Sequence, residues 1–464
     1  MGTSLHLMRV DIGNSIVPPP SPVKETPRNG SNLSANYALA MLFIVMMLNF
    51  LDRQVIAILA EPVKRDLGLS DTQLGLMSGL SFAVFYTTLA IPVAALADRW
   101  NRSKIIAIAL AIWSAMTVLC GFAANFVQLF LARIGVGIGE AGSVPASHSL
   151  ISDLFPPERR AGALGMFGMA IPIGAFIAFA GGGWIVENVS WRAAFMAAGA
   201  PGLLVAVLIW ITVRDPRGNI ALRQALQPDP NRLSLKSGLA ALSGKSAYWH
   251  IIAAGTLVQF VAYGFGSFYG SFFVRVHGMG YAELGWKLGL MVGITGGFAS
   301  WIGGLASNRL LKRSMAAPLN VNGLLLAFSV GPAIYGLYTP SENFALVMFA
   351  APVFAASYYF GSTFAAIQTL ARDETRAFAV ALYSLIASLI VLGLGPVFVW
   401  IVSDLFASYA TNSMSDSQSE ASCLRQAITL LLLGNLWAGA HYWFAGRRMA
   451  SDAQSTLEGN QISP

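Results

Sequence analysis

Apolar runs of about 20 residues alternate with short polar segments along the whole chain. A helix of that length crosses the ~30 Å hydrocarbon core of a bilayer, where the backbone must satisfy its own hydrogen bonds. We therefore predict an all-α membrane protein with twelve transmembrane helices, which begin near Asn36, Thr72, Ser103, Phe126, Arg160, Trp191, Ala247, Tyr281, Ala316, Glu342, Arg376 and Ala421.

The longest interior polar stretch, residues 214–246, divides these helices into two sets of six. A weak repeat supports the division, because Leu-Ala-Asp-Arg at 96–99 is echoed by Leu-Ala-Ser-Asn-Arg at 305–309. Such repeats are typical of transporters whose binding site lies between the two halves. We predict a disordered cytoplasmic tail (1–35), an N-terminal bundle (36–213), a cytoplasmic linker with a short surface helix (214–246), a C-terminal bundle (247–446) and a cytoplasmic tail (447–464).

Composition agrees with this pattern, since 55% of the 464 residues are hydrophobic and 11% are charged. With both termini inside, twenty-one of the 29 Lys and Arg residues fall in cytoplasmic segments and six fall outside, among them Arg275. The net charge of +7 thus reflects topology and does not indicate a nucleic-acid partner. The two cysteines form neither a disulfide framework nor a metal-ligand spacing, and we expect no cofactor or metal.

Four charged residues lie inside the predicted spans of the N-terminal half, namely Asp52, Arg53, Arg133 and Glu140. Charges at membrane depth are costly and usually functional. At about 1.5 Å per residue, Arg133 is level with Asp52, and Glu140 lies two turns farther along the face that carries Arg133. We predict that Asp52 and Glu140 compete for the arginines and couple transport to protons, with Glu140 as the preferred carrier. The alternative is two static ion pairs that fix helix register.

The C-terminal half carries hydroxyl and amide groups in its spans and few charges. Its Phe, Met and Tyr content suits an acyl chain better than a sugar, whose hydroxyls need many polar partners. We assign a substrate cavity to Tyr86, Gln259, Tyr263, Ser267, Tyr358, Ser362 and Gln368, and we consider ordinary interhelical hydrogen bonding as the alternative. Three glycines in residues 264–270 predict a break in the seventh helix. His148 is a candidate proton relay or a polar helix-end residue.

Residues 94–104, Ala-Ala-Leu-Ala-Asp-Arg-Trp-Asn-Arg-Ser-Lys, resemble the loop signature of the major facilitator superfamily, although both family glycines are replaced. A carboxylate and nearby arginines at a helix end would latch two helices in one state and release them in the other. We predict a cytoplasmic gate at Asp98, Arg99, Arg102 and Arg159, with a topological anchor of positive charge as the alternative.

Four further stretches resemble the spinster-like branch of that superfamily: residues 48–53 (Leu-Asn-Phe-Leu-Asp-Arg), 61–75, 135–141 (Gly-Val-Gly-Ile-Gly-Glu-Ala) and 153–161. The resemblance implies the major facilitator fold, with two pseudo-symmetric six-helix bundles, and proton-linked transport of lysophospholipids or sphingoid phosphates. The chain lacks the His-Glu-x-x-His and Gly-x-Ser-x-Gly motifs of enzymes.

We expect a monomeric transporter in a bacterial inner membrane that moves an amphipathic lipid with protons by alternating access. Its partners are this small-molecule or lipid substrate, protons and membrane lipids. The alternatives are a drug or organic-anion/proton antiporter and, less favoured, a passive lipid scramblase or channel.

Overall fold

The computed structural model describes residues 32–80, 85–86, 88–89, 92–93, 96, 100–216, 235–372, 375–409 and 416–462. These residues contain helices and connecting turns and no strand, which confirms the all-α prediction. The helices are α1 (Asn32–Leu67), α2 (Asp71–Gly75, followed by a π-helical turn at Leu76–Leu80), α3 (Arg102–Cys120), α4 (Phe126–Glu140), α5 (Ser143–Leu154), α6 (Pro157–Asn188), α7 (Trp191–Thr212), α8 (Leu235–Ser243), α9 (Ser246–Gly266), α10 (Tyr269–His277), α11 (Tyr281–Leu311), α12 (Ala317–Tyr338), α13 (Glu342–Leu370), α14 (Arg376–Tyr409) and α15 (Asp416–Ile462).

Within the described ranges, nine helices are long and apolar enough to cross a membrane. A tenth span arises when α9 and α10 are counted together, because they bend by 43° at a short break. These ten correspond to ten of the twelve predicted spans. The other two predictions fall on the segment that begins near Thr72, of which the structure describes α2 and a few later residues, and on α15.

The helices form two halves, α1–α7 and α9–α15, which meet where α6 packs on α11, α2 on α14 and α1 on α10. One buried apolar cluster lies in the N-terminal half around Trp113, and another lies in the C-terminal half around Tyr383. The largest cluster includes residues of both halves, such as Phe179 and Trp400. It lies at the end of the molecule formed by α2 and α10, which we call the α2–α10 end. The opposite end carries Asp215 and α8, and we call it the linker end.

Local sequence sets the turn between α1 and α2. Gly68 follows the last residue of α1 with a φ of 64°, a left-handed conformation that glycine adopts without a Cβ penalty. Ser70 then caps α2 through a reciprocal capping box with Gln73. Consequently α2 begins at Asp71, and this residue is buried.

Several boundaries differ from the predictions. Helix α1 begins at Asn32, four residues before the predicted start, so the predicted tail of 1–35 ends too late. Within the fourth span, a junction at Ala141 and Gly142 separates α4 from α5 directly after Glu140. The break predicted in the seventh span is confirmed at Ser267 and Phe268. The predicted linker contains the short helix α8 that was expected there.

Candidate functional site

The membrane-embedded charges of the N-terminal half include one direct ion pair. Arg53 Nε donates to Glu140 Oε2 at 2.7 Å, and this bond joins α1 to the end of α4. The Glu140 side chain is fully buried and that of Arg53 is 11% exposed. A buried carboxylate is stable as an ion only when it is paired, so Arg53 sets the charge state of Glu140 in this conformation.

Asp52 points to a different helix from its neighbour Arg53, because adjacent residues are about 100° apart around a helix. Asp52 accepts a hydrogen bond from the hydroxyl of Thr117 on α3 and is 2% exposed. Arg133, 1% exposed, interacts electrostatically with both Asp52 and Glu140. The structure therefore brings all four predicted charges into one buried group. Their predicted role in proton coupling stays a prediction.

Close helix packing fixes Glu140 at the end of α4. A Cβ on Gly139 would collide with the backbone and side chain of Trp113 on α3, so α3 and α4 approach each other closely there. Ala141 and Gly142 follow at once, and α5 begins at Ser143. Ala141 and Gly142 both keep right-handed helical dihedral angles, so α4 and α5 form one span, Phe126–Leu154, and Glu140 lies at the junction between them.

Two of the predicted cavity residues adjoin these charges. The guanidinium of Arg53 lies 4.7 Å from the ring centroid of Tyr86. Tyr263 on α9 interacts electrostatically with Arg53, and it belongs to the C-terminal half. Tyr359 interacts with both Tyr263 and Tyr383. A line of tyrosine hydroxyls therefore leads from the charged group into the C-terminal half.

The other predicted cavity residues lie apart from the charges. Gln259 donates to the hydroxyl of Tyr383 at 2.9 Å, and the Ser267 hydroxyl donates to the backbone carbonyl of Gly264. Ser362 exchanges hydrogen bonds with Asn322, and Tyr358 is 4% exposed. Gln368 is exposed. For Gln259 and Ser362 this geometry fits the alternative of interhelical hydrogen bonding, and a substrate contact stays a prediction.

The predicted gate residues are described in part. Asp98 and Arg99 lie outside the described residues, and Arg159 is exposed at the start of α6. Arg102 is 1% exposed and binds the Asp215 carboxylate through Nε and Nη2, while Nη1 pairs with Asp153 at 2.9 Å. These partners all belong to the N-terminal half or to the start of the linker. Arg102 thus joins α3, α5 and the linker within one half.

His148, the candidate relay, lies on the exposed side of α5 against Phe167, with ring centroids 5.3 Å apart. Its relay role stays a prediction. No group of three or more His, Cys, Asp or Glu residues in the described part of the chain is arranged to hold a metal ion. The geometry therefore supplies charge pairing and hydrogen bonding as the chemistry of this site.

Sequence reasoning missed a charged cluster at the α2–α10 end. Arg275 of α10 donates to Glu61 of α1 at 2.8 Å and to both carboxylate oxygens of Asp71 at 2.7 and 2.8 Å. Lys64 also pairs with Asp71. We call Glu61, Asp71 and Arg275 the closing triad, because it joins the two halves. The loop assignment of Arg275 was wrong, since it lies in a helix and its side chain is 5% exposed.

A second bond between the halves lies beside the triad. The backbone N–H of Thr72 donates to Asp404 of α14 at 2.9 Å. Asp71 precedes the second predicted span. Burial raises the pKa of its carboxyl group, but the hydrogen bonds and charges of Arg275 and Lys64 outweigh burial and hold that pKa below its usual value. Asp71 is therefore ionised at neutral pH, and the α2–α10 end is closed by charge pairing.

The chain is similar to known proteins along most of its length. A profile of the Major Facilitator Superfamily matches residues 42–396. The chain is 32% identical over 418 residues to an MFS-type efflux pump of Mycolicibacterium smegmatis, covering 89% of this chain and 93% of the pump. It is also 31% identical over 225 residues to Protein spinster homolog 1 of Xenopus laevis, covering 48% of this chain and 42% of that protein.

A solved structure shares the whole architecture. The crystal structure of a bacterial homolog of the human lysosomal transporter Spinster, in an inward-facing and unoccupied conformation, superimposes with a TM-score of 0.80. The two proteins are 31% identical, and the match covers 91% of this chain and 99% of that one. The predicted all-α major facilitator fold and the resemblance to the spinster branch are thereby confirmed. The chain belongs to the Major Facilitator Superfamily of secondary transporters, resembles the spinster branch of that superfamily, and works by alternating access.

Proposed function

We propose that this protein is a proton-coupled transporter of an amphipathic, anionic or zwitterionic lipid. The observation that carries the proposal is the fully buried Glu140, which forms an ion pair with Arg53, a residue that also interacts with Tyr263 of the other half. An anionic headgroup that draws Arg53 away would leave Glu140 unpaired in a low-dielectric site, and protonation is then the cheaper state. Substrate and proton are thereby linked.

The apolar character of the C-terminal half supports a lipid as substrate. Several of its buried polar groups bond to one another, as Ser362 does with Asn322 and Thr363 with Tyr442. Groups that are already paired offer little to a sugar, which needs new hydrogen bonds for each of its hydroxyls. Apolar side chains contribute about 25 cal/mol per Å² of acyl surface that they cover. The headgroup would then face Arg53 and Arg133.

We further propose a monomer in a bacterial inner membrane with both termini cytoplasmic. In that orientation the closing triad faces outward, so the conformation described is inward-facing, like the homolog with which it superimposes. The excess of Lys and Arg in the predicted cytoplasmic loops supports this orientation.

The alternative function is export of drugs or organic anions in exchange for protons. The M. smegmatis relative, which bears the description efflux pump and matches over 93% of its length, favours it. Some other relatives are described as transporters of sugar acids, for example the probable galactarate/D-glucarate transporter of Bacillus subtilis at 26% identity. Sugar acids are also anions, and the same arginines would bind their carboxylates.

Reconstitution into liposomes tests the proposal. A labelled lysophospholipid is followed with and without an imposed pH gradient for the native protein, for Glu140→Gln and for Glu283→Gln, which alters a carboxylate at the protein surface. We expect gradient-dependent accumulation in the native protein and in Glu283→Gln, and its loss in Glu140→Gln. Downhill lipid flux that does not depend on the pH gradient would indicate a scramblase. Gradient-driven transport of a hydrophobic drug in the absence of lipid movement would indicate the antiporter.

A further inference from the structure

Asn49 lies one helical turn before Arg53 on α1. Residues four apart share a helix face, so α1 presents an amide and a guanidinium in the same direction. The Asn49 side chain is fully buried, with 0% exposure. A fully buried amide has two donors and an acceptor to satisfy, and leaving them unmet costs about 1–3 kcal/mol each. Some partner must therefore account for this residue.

The neighbour that Asn49 interacts with is Glu140, whose oxygen Oε2 is occupied by Arg53 from the same face of α1. Among the described residues, neither Oε1 of Glu140 nor the amide atoms of Asn49 have a hydrogen bond. The amide and the second carboxylate oxygen are thus the two unmet groups of one small site.

Several other charged or titratable groups face Glu140. They are Asp52 and Arg53 on α1, Arg133 on α4 and Tyr263 on α9, and Tyr86 lies against Arg53. Each of them favours one charge state of Glu140: the arginines favour the carboxylate, and the nearby Asp52 favours the acid. An amide differs from all the charged groups, because its nitrogen donates to a carboxylate and its oxygen accepts from a carboxylic acid.

We propose that Asn49 is a positioning residue that holds Glu140 in place in both of its protonation states. This inference rests on the proposed role of Glu140 in proton coupling. While Arg53 is bound, the Asn49 amide lies beside the carboxylate, and a small rotation of its side chain lets Nδ2 donate to the free oxygen Oε1. When Arg53 leaves, Glu140 takes a proton from the water that reaches the cavity, and its new O–H donates to Oδ1 of Asn49. On the return of Arg53, the same proton goes back to water.

The role explains why an amide stands at this position. An apolar side chain would leave the neutral acid without an acceptor, and an acidic one would add a second negative charge beside Glu140. A serine hydroxyl both donates and accepts, so it would replace the amide in part. The pair Asn49→Ser and Asn49→Ala therefore differs by a single oxygen that carries the proposed function.

Infrared difference spectroscopy of the purified protein in lipid tests the inference without requiring a substrate. Spectra recorded between low and high pH contain a carboxylic-acid C=O band for each titrating acid, and the band that disappears in Glu140→Gln belongs to Glu140. We expect Asn49→Ala to move that band to higher frequency, because the acid loses its acceptor. Asn49→Ser should leave it near the native position.

An unmoved Glu140 band in Asn49→Ala would overturn the inference. If no band disappears in Glu140→Gln, then Glu140 does not titrate, and the proposed function fails together with the inference. If the Glu140 band is present and Asn49→Ala does not move it, the proposed function holds and the inference about Asn49 fails. Asn435→Ala on α15, where the amide donates to Ser329, is the control for loss of a buried amide and should not affect the band. Should Asn49→Ala not fold, Asn49→Val and Asn49→Thr form the same comparison.

Discussion

Arg275 and Asp71 are joined by two parallel hydrogen bonds of 2.7 and 2.8 Å, although 204 residues separate them in the chain. Such a two-pronged pair is the strong form of the arginine–carboxylate interaction. Because one partner lies in each half, the pair exists only while the α2–α10 end is closed. Opening this end requires that Arg275 leave both Asp71 and Glu61, and this requirement leads to the first prediction.

Replacing Arg275 with Gln should open the α2–α10 end. Two carboxylates would remain buried near each other, with Lys64 as their remaining counterion among the described residues, and breaking a buried pair in this way costs about 3 kcal/mol. Disulfide formation between cysteines placed at Thr72 and Asp404, with Cys120 and Cys423 replaced by Ser, reports closure. We expect a lower yield in the Arg275 variant. Arg313→Gln, at an exposed position, should match the parent, and an equal yield in both variants would contradict the role of the triad.

Closure by the triad should be insensitive to pH across the physiological range. The pKa of Asp71 in the folded protein is below its usual value, so this carboxylate contributes stability fully above the unfolded pKa of about 3.9 and loses it only as pH falls through the lower folded value. The ratio of crosslinking yields between the parent and Arg275→Gln is therefore expected to stay the same from about pH 5 to pH 8, since the thiolate fraction changes alike in both proteins. A ratio that changes between pH 7 and pH 5 would mean that another group controls this end.

Gly285 should tolerate no side chain. A Cβ there would collide with the carbonyl oxygen of Phe179, at the point where α11 of one half crosses α6 of the other. We expect Gly285→Ala to reduce crosslinking at the α2–α10 end and to lower the melting temperature. Gly297, on the same helix, has no atom within 4 Å of its would-be Cβ, so Gly297→Ala is the matched control. That control should be neutral or slightly stabilising, since alanine favours helices by up to about 1 kcal/mol over glycine.

Arg102 should matter for stability more than for gating. Arg102→Gln would remove a buried ion pair with Asp215, whose side chain is 2% exposed, at a cost of about 3 kcal/mol. Thermal unfolding in detergent can be followed with a thiol-reactive dye, because Cys120 and Cys423 are both buried and free. Arg192→Gln breaks an ion pair with Asp66 that is 38% and 45% exposed and should have little effect. Similar melting temperatures for the two variants would refute the structural role of Arg102.

The sequence allowed the helices and the charged group to be predicted, because both depend on properties read locally. Apolar runs identify spans, and charges within them identify the site. The partners of Asp52 and Arg53 could not be predicted, since they depend on helix rotation: Asp52 faces Thr117 while Arg53 faces Glu140.

Long-range contacts account for the rest of what was missed. No periodicity relates Arg275 to Glu61, which lies 214 residues away. A helix end at the membrane surface and a charge buried between two halves look alike in a hydropathy pattern. The clue that was available is that Glu61 and Asp71 bracket a short polar turn with Lys64 and so carry charge of both signs at one helix junction.

All four buried charges of the site belong to the N-terminal half, and the C-terminal half contacts Arg53 through Tyr263. Under the proposed function, the charges that link substrate to protons and the apolar surface that covers the acyl chain lie on different parts of the chain. Substitutions in the C-terminal half can remodel the surface that meets a substrate while the residues around Glu140 remain untouched. Related proteins with this arrangement can acquire different substrates while they keep the same proton-coupling residues. Hybrids that combine halves from two relatives would reveal which half determines the choice of substrate.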